Sequence, residues 1–194
     1  MRIVRQPQFK SSPWKNGGGV THEAVRWPAQ GDAFRWRVSV AHIDASGPFS
    51  DFAGYARTMV LLRGAGVLLK LSDGTRRILR GTGDLAQFDG ALGVECELLD
   101  GPCVDLNLMT STTMRAVRAR VERLSEPRCH AVRTDEWMVV FPVDAAIEVR
   151  PDGEDATVLE PWDLAVLGGA GASSARIACC EDGRAGAVFV ATLS

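Results

Sequence analysis

Histidine is scarce in this sequence and poorly spaced for metal work. The three histidines in 194 residues, His22, His42 and His130, stand 20 and 88 positions apart, so no local pair of imidazoles can begin a metal site. Each reads as a surface or hydrogen-bonded histidine. The five cysteines (Cys96, Cys103, Cys129, Cys179, Cys180) form no C-x-x-C pair, and their odd number argues against a disulfide framework, so reduced, partly buried thiols are expected. No stretch approaches the roughly 18 uninterrupted apolar residues of a membrane span. Residues 1–10 also lack the apolar core of a signal peptide, which makes a cytoplasmic protein with no membrane partner the expectation. A basic stripe is missing too: 22 Lys and Arg are scattered among 24 acidic residues, with a pI near 5.9, so nucleic acid is not an expected partner.

What remains is the profile of an ordinary packed protein, 46% hydrophobic and 24% charged with a mean hydropathy of zero. Helical periodicity is rare. Short alternating or β-branched runs bounded by Gly, Asp and Pro recur instead, at 34–41, 58–62, 67–71, 94–99, 104–109, 137–143 and 188–193, the pattern of an all-β sandwich or barrel. Residues 114–124 fit either a helical face or period-two alternation, and a strand is favoured. A repeat runs through the chain: Asp84-Leu-Ala-Gln-Phe-Asp-Gly90 returns as Asp163-Leu-Ala-Val-Leu-Gly-Gly169. The turn dipeptides Asp73-Gly74 and Asp152-Gly153 stand at the same offset of 79. Two similar barrels are expected, an N-terminal one over 1–112 and a degenerate one over 113–194 packed on it. The second barrel's sparse polar pattern suggests a structural role. Trp27, Trp137 and Trp162 are assigned to packing by default.

In the first half, Gly64-Ala-Gly66, the Asp73-Gly74 turn and Gly83-Asp84 resemble the glycine-bounded strand pair of cupin barrels. Cupin metal sites follow the pattern G-x5-H-x-H-x3–4-E-x6-G, because imidazoles and a carboxylate on neighbouring strands must converge on one cation. Counted back from Gly64, the carboxylate position is Arg57 and the two histidine positions are Ser50 and Phe52. The histidine of the second motif is missing after Gly90. The expectation is a barrel without metal or other cofactor.

A more specific resemblance is carried by Pro13-Trp-Lys-Asn-Gly-Gly-Gly-Val-Thr-His-Glu23, by Phe34-Arg-Trp-Arg-Val-Ser-Val-Ala41, by Gly47-Pro-Phe-Ser50 with Asp51, Phe52, Gly54 and Arg57, and by Asp105-Leu-Asn-Leu-Met109. This series is similar to the HutD/Ves family. It is dense over residues 10–112 and thin afterwards. One departure is the absence of a proline beside Gly54, where a local turn change is expected. The resemblance implies a tandem cupin-like (RmlC-like) fold, a bicupin of double-stranded β-helix barrels, and a link to histidine utilisation.

Alternation places Arg37, Ser39 and Ala41 on one face of their strand and Asp105, Asn107 and Met109 on one face of theirs, and polar residues pointing into a barrel line a ligand cavity. Which face of the first strand looks inward is left open. Lys15, Asn16 and Gly17 open a glycine run that can present N–H donors closely or can serve only as a turn. A mouth gathering Lys15, Asn16, Gly17, Thr21, Glu23, Arg37, Ser39, Ser50, Arg57, Asp105 and Asn107 would suit a small anionic metabolite. There Arg37 and Arg57 would clamp a carboxylate while Glu23 or Asp105 pairs a nitrogen. The alternative is a buried salt-bridge network. Implied by the resemblance is a binding protein for an intermediate of histidine breakdown, urocanate or an N-substituted glutamate, with a regulatory role. The competing readings are a metal-independent enzyme using Glu23 or Asp105 as base, and an interaction module, with a homodimer left open.

Overall fold

Val67, Leu69 and Leu71 alternate with Leu68 and Lys70, and Val94 and Cys96 alternate with Glu95 and Glu97. Pairing of these two strands puts all five of the first-named residues in one core. The same logic builds the whole molecule in a computed structural model that describes residues 1–31, 33–169, 173–180 and 185–194. Among these residues every strand pairing is antiparallel and no α-helix occurs. No helix is long and apolar enough to cross a membrane.

The chain divides into two units. After strand β1 (Arg2–Val4) and a 3-10 turn at Gln6–Gln8, residues 9–114 form one unit from ten strands: β2 (Lys10–Pro13), β3 (Gly19–Trp27), β4 (Trp36–Ile43), β5 (Gly47–Pro48), β6 (Tyr55–Arg63), β7 (Val67–Leu71), β8 (Arg76–Leu79), β9 (Leu85–Asp89), β10 (Val94–Leu98) and β11 (Cys103–Ser111). They make a six-stranded sheet in the order β2-β3-β4-β11-β6-β9 and a four-stranded sheet β5-β10-β7-β8. Ile43, Met59, Leu61, Leu69 and Phe88 belong to the core of this unit.

The other unit holds β12 (Val117–Leu124), β13 (Arg128–Val132), β14 (Trp137–Pro142), β15 (Ile147–Pro151), β16 (Thr157–Leu159), β17 (Leu164–Gly168), β18 (Ser173–Cys179) and β19 (Gly186–Leu193), in the sheets β1-β17-β14-β19-β12 and β13-β18-β15-β16. Residues 1–8 therefore belong with this unit, not with the first as a division at 112 had it. The reason is that β1 pairs along β17, from Arg2 opposite Val166 to Val4 opposite Leu164.

The repeat read from the sequence has an atomic counterpart. Strand orders β4-β11-β6-β9 and β12-β19-β14-β17 correspond, as do β5-β10-β7-β8 and β13-β18-β15-β16. Asp84 Oδ2 accepts from the backbone N–H of Gly81 (2.9 Å), and Asp163 Oδ2 accepts from that of Glu160 (3.1 Å), so the repeated aspartate closes the same turn in each unit. Residues 114–124 contain a strand, as favoured. The longest omission from the sequence reading is β3, whose run Gly-Val-Thr-His-Glu-Ala-Val-Arg-Trp breaks its alternation at a β-bulge between Glu23 and Val25. Trp27 departs from the packing default, being 40% exposed, whereas Trp162 Nε1 donates to the Val143 carbonyl (3.2 Å) and the Trp137 ring lies against Gly169.

The glycine run is the hairpin joining β2 to β3. Gly17 has φ of +72° with open space around it, and its N–H donates to the Trp14 carbonyl (3.0 Å). Gly19 is there for space: a Cβ would stand 2.2 Å from the His42 carbonyl oxygen and 3.2 Å from the Trp14 ring. Gly19→Ala should therefore destabilise by about 1–3 kcal/mol through overpacking, lowering Tm by roughly 3–10 °C in a chain of this size. Gly17→Asn, whose side chain tolerates positive φ, should stay within about 0.5 kcal/mol of the parent in the same thermal unfolding experiment.

Candidate functional site

The inner face of the six-stranded sheet carries three cross-strand rows. One runs Arg26, Arg37, Met109, Arg57, Phe88; the next Lys10, Glu23, Ser39, Asn107, Met59, Ala86; the third Ser12, Thr21, Ala41, Asp105, Leu61. The rows are apolar toward β9 and polar toward β2. A cavity of about 630 Å³ opens over the polar part, within the range of small-molecule sites. The face of β4 bearing Arg37 and Ser39 is thus the inner one, while Trp36, Val38 and Val40 on its opposite face are also buried.

Arg57 lies at the floor, 7% exposed. Its guanidinium is ringed by Phe49, Phe52 and Phe88, with Cζ 5.0, 5.7 and 5.2 Å from the three ring centroids. Nη2 donates to Asn107 Oδ1 (3.0 Å), and Nε is buried with no hydrogen-bond partner. Arg37 repeats the theme beside it: Cζ lies 5.1 Å from the Phe34 centroid and 5.4 Å from that of Phe52, Nη2 contacts Met109 Sδ (3.0 Å), and Nε is unpartnered. Among the described residues neither guanidinium enters an ion pair, so the alternative of a buried salt-bridge network does not describe this site.

Asp105 stands behind the floor. It is buried, accepts from Asn107 Nδ2 and leaves Oδ1 without a partner. In this way Asp105 orients Asn107, whose amide oxygen is turned to Arg57. Burial pushes the Asp105 carboxyl up to about 7, against the pull of Arg57. Burial lowers Arg57 to about 10, with Asp105 opposing and Arg37 adding to the fall. Near neutral pH the floor is therefore a cation that the protein only partly compensates.

Of the residues expected at the site, Lys15, Asn16, Thr21, Glu23, Arg37, Ser39, Ser50, Arg57 and Asn107 border the cavity. Two do not. Asp105 is buried, does not border the cavity and acts through Asn107; Gly17 sits in the hairpin turn with its N–H taken by Trp14. Asn16 Oδ1 is likewise used locally, accepting from the Gly18 N–H (3.1 Å), and Trp14 Nε1 donates to Thr21 Oγ1 (2.8 Å). Sequence reasoning missed Lys10, Ser12 and the aromatic walls. Phe88 could have been read from its alternation in β9, but Phe49 comes from a segment without regular structure after β5.

The three positions counted from the cupin pattern, Ser50, Phe52 and Arg57, all border this cavity. They do not fit a metal: serine and phenylalanine offer no imidazole, and the guanidinium would repel a divalent cation where a carboxylate would have to bind one. Among the described residues no group of three His, Cys, Asp or Glu side chains could hold a metal ion.

The family model HutD matches residues 6–185. The chain belongs to the HutD family. It is 33% identical over 170 residues, 87% of each chain, to an uncharacterized 21.2 kDa protein of Pseudomonas putida named for the region 3′ of hutC. It is 32% identical over 109 residues, 56% of each chain, to protein Ves of Escherichia fergusonii. The solved structure of HutD from Pseudomonas fluorescens SBW25, obtained in a formate condition, superposes with a TM-score of 0.80 at 30% identity over 100% of this chain and 98% of that one. A cupin 2 conserved barrel domain protein from Leptotrichia buccalis, at 9% identity and a TM-score of 0.62, shows the fold alone. The architecture is the tandem cupin-like, RmlC-like β-barrel that the sequence suggested.

The raised Asp105 pKa has a signed consequence. A carboxyl whose folded-state pKa exceeds the unfolded value near 4 contributes most stability below pH 4 and loses it as pH rises through about 7. Asp105→Asn keeps the shape and an acceptor for Asn107. Its stability relative to the parent should rise steadily between pH 4 and 8 in denaturant unfolding, and a pH-independent difference would contradict the assignment.

Proposed function

We propose that the first barrel binds a small carboxylate-bearing metabolite without a metal, with the carboxylate on Arg57 and Arg37. The observation that carries this reading is the Arg57 guanidinium: buried, walled by three phenylalanine rings, held by Asn107 and facing a cavity with Nε unpaired. A site that keeps a desolvated cation with free donors meets an anion at little reorganisation cost, and a planar guanidinium suits a carboxylate in two-point contact. Glu23 and Lys10, cross-strand neighbours on the cavity wall, offer a carboxylate and an ammonium for the other end of the ligand.

The names of the relatives supply the biological direction. One stands beside hutC in P. putida and another is HutD itself, which favours an intermediate of histidine degradation, urocanate or an N-substituted glutamate, and a role in regulating that pathway. Of the two candidate bases, Asp105 does not border the cavity, and Glu23, which does, lies beside Lys10 with no orienting partner among the hydrogen bonds of the described residues. Binding without turnover is the reading the geometry favours.

Thermal unfolding with histidine, urocanate, formiminoglutamate, formylglutamate and glutamate, each with and without EDTA, tests this directly. A ligand at about 100 times its Kd should add about 2.7 kcal/mol, a Tm rise of roughly 5–10 °C. The rise should vanish in Arg57→Ala and be unchanged by EDTA. No rise for any of them would favour an interaction module, and product formed during the incubation would make the protein an enzyme.

A further inference from the structure

The interior of the second unit is apolar across Val140, Ala165, Val188 and Val190, yet one corner is not. Strands β12 and β13 each lie at one edge of that unit's two sheets and are joined through residues 125–127. Register sets Arg120 beside Val190, Glu122 beside Val188, Arg128 beside Ile177 and His130 beside Ala175, all four neighbours being core residues. These four polar side chains border a cavity of about 460 Å³. The side chains of Glu122 and His130 are deep, 11% and 10% exposed, while those of Arg120 and Arg128 are half-exposed at its rim.

The corner is incompletely satisfied. Glu122 Oε1 lies 2.5 Å from Arg120 Nη2 but in a geometry that makes no hydrogen bond, and Oε2 lies 3.9 Å from Arg128 Nε. His130 Nε2 is 3.8 Å from Glu122 Oε2, too far for a hydrogen bond, and is buried with no other partner. His130 therefore departs from the surface or hydrogen-bonded histidine expected of it. Arg123 also lines this cavity, but its charge is offset by Asp144, 3.6 Å away. Two arginines against one glutamate leave one positive charge at the rim, and the gap between a carboxylate oxygen and a ring nitrogen invites a donor.

This is also the place in its repeat that the first cavity occupies in the other, since β12 and β13 correspond to β4 and the β5 segment that bring Arg37 and Phe49. We propose that the second unit carries its own binding site, between β12 and β13, for a small carboxylate monoanion bearing a hydroxyl or N–H donor. Arg120 and Arg128 take the carboxylate, and the donor sits alongside Glu122 Oε2 and His130 Nε2, within reach of both acceptors. Phosphate and its monoesters, closer to two charges near pH 7, match the single net charge less well. The proposal does not depend on the occupant of the first cavity.

The three histidines make the test direct. In protein labelled with nitrogen-15 at histidine, His130 reports the second cavity, while His22 and His42, which border neither cavity, serve as internal controls. Lactate should move the His130 ring signals saturably and leave the other two in place. Acetate, which has the carboxylate without the hydroxyl, should bind at least about tenfold more weakly. Arg128→Gln and, separately, Arg120→Gln should weaken lactate by about tenfold or more while thermal unfolding shows the fold retained. Glu122→Gln should narrow the lactate-to-acetate ratio. A His130 signal that ignores lactate throughout the titration, equal affinity for acetate, tighter binding of inorganic phosphate, or unchanged affinity in both arginine variants would each overturn the proposal.

Discussion

Arg57 has to remain charged inside a barrel where β6 and β9 set Met59, Leu61, Ala86 and Phe88 on the same face, and most of the first unit's interior answers to that demand. Taking a guanidinium out of water costs several kcal/mol unless other groups offset the loss. Here no carboxylate touches it. Three ring faces supply quadrupole attraction, Asn107 supplies one oriented acceptor, and Asp105 adds negative charge from behind while its own burial keeps it near the edge of ionisation. Each compensation comes from a different element: Phe49 and Phe52 from the segment after β5, Phe88 from β9, and Asn107 with Asp105 from β11. A buried cation so arranged is held ready for an anion more than it is held for stability.

The comparison of the two units separates what the fold does from what the residues do. Eight strands of each follow one sheet order, and the same aspartate closes the same turn in both. The first unit adds β2 and β3 to the edge of β4, and with them Lys10, Ser12, Trp14, Thr21 and Glu23 enter the cavity wall. The second unit adds β1 at the far edge of its sheet, beyond β17, and among the described residues β12 is an edge strand of that sheet. The first barrel is therefore deepened on its polar side by strands that have no counterpart in the second unit's sheet order, from a difference in where a few N-terminal residues pair. A shared fold does not by itself confer a shared ligand.

Much of this was legible in the chain. Alternation marked the strands, the repeat of Asp84–Gly90 at Asp163–Gly169 marked two units, and the arginine at the carboxylate position of the cupin pattern marked a site unlike a metal centre. The β3 strand was hidden because the bulge after Glu23 shifts its parity, so that Arg26, not Val25, falls opposite Arg37. Asp105 was read on the correct face but expected at the cavity, which it does not border, since alternation tells up from down but not near from far. The second cavity was passed over because Glu122 and His130 belong to strands of different sheets and look unremarkable along the sequence.

The sequence by itself determined an all-β chain of two related units and the polar character of individual strand faces, because hydrophobic alternation is a local property with a period of two residues. Only the tertiary structure decided which face of β4 looks inward, that three phenylalanines meet around Arg57, and that His130 Nε2 is buried without a hydrogen-bond partner. These depend on pairing register between strands far apart in the chain, where a single bulge reverses every side chain beyond it.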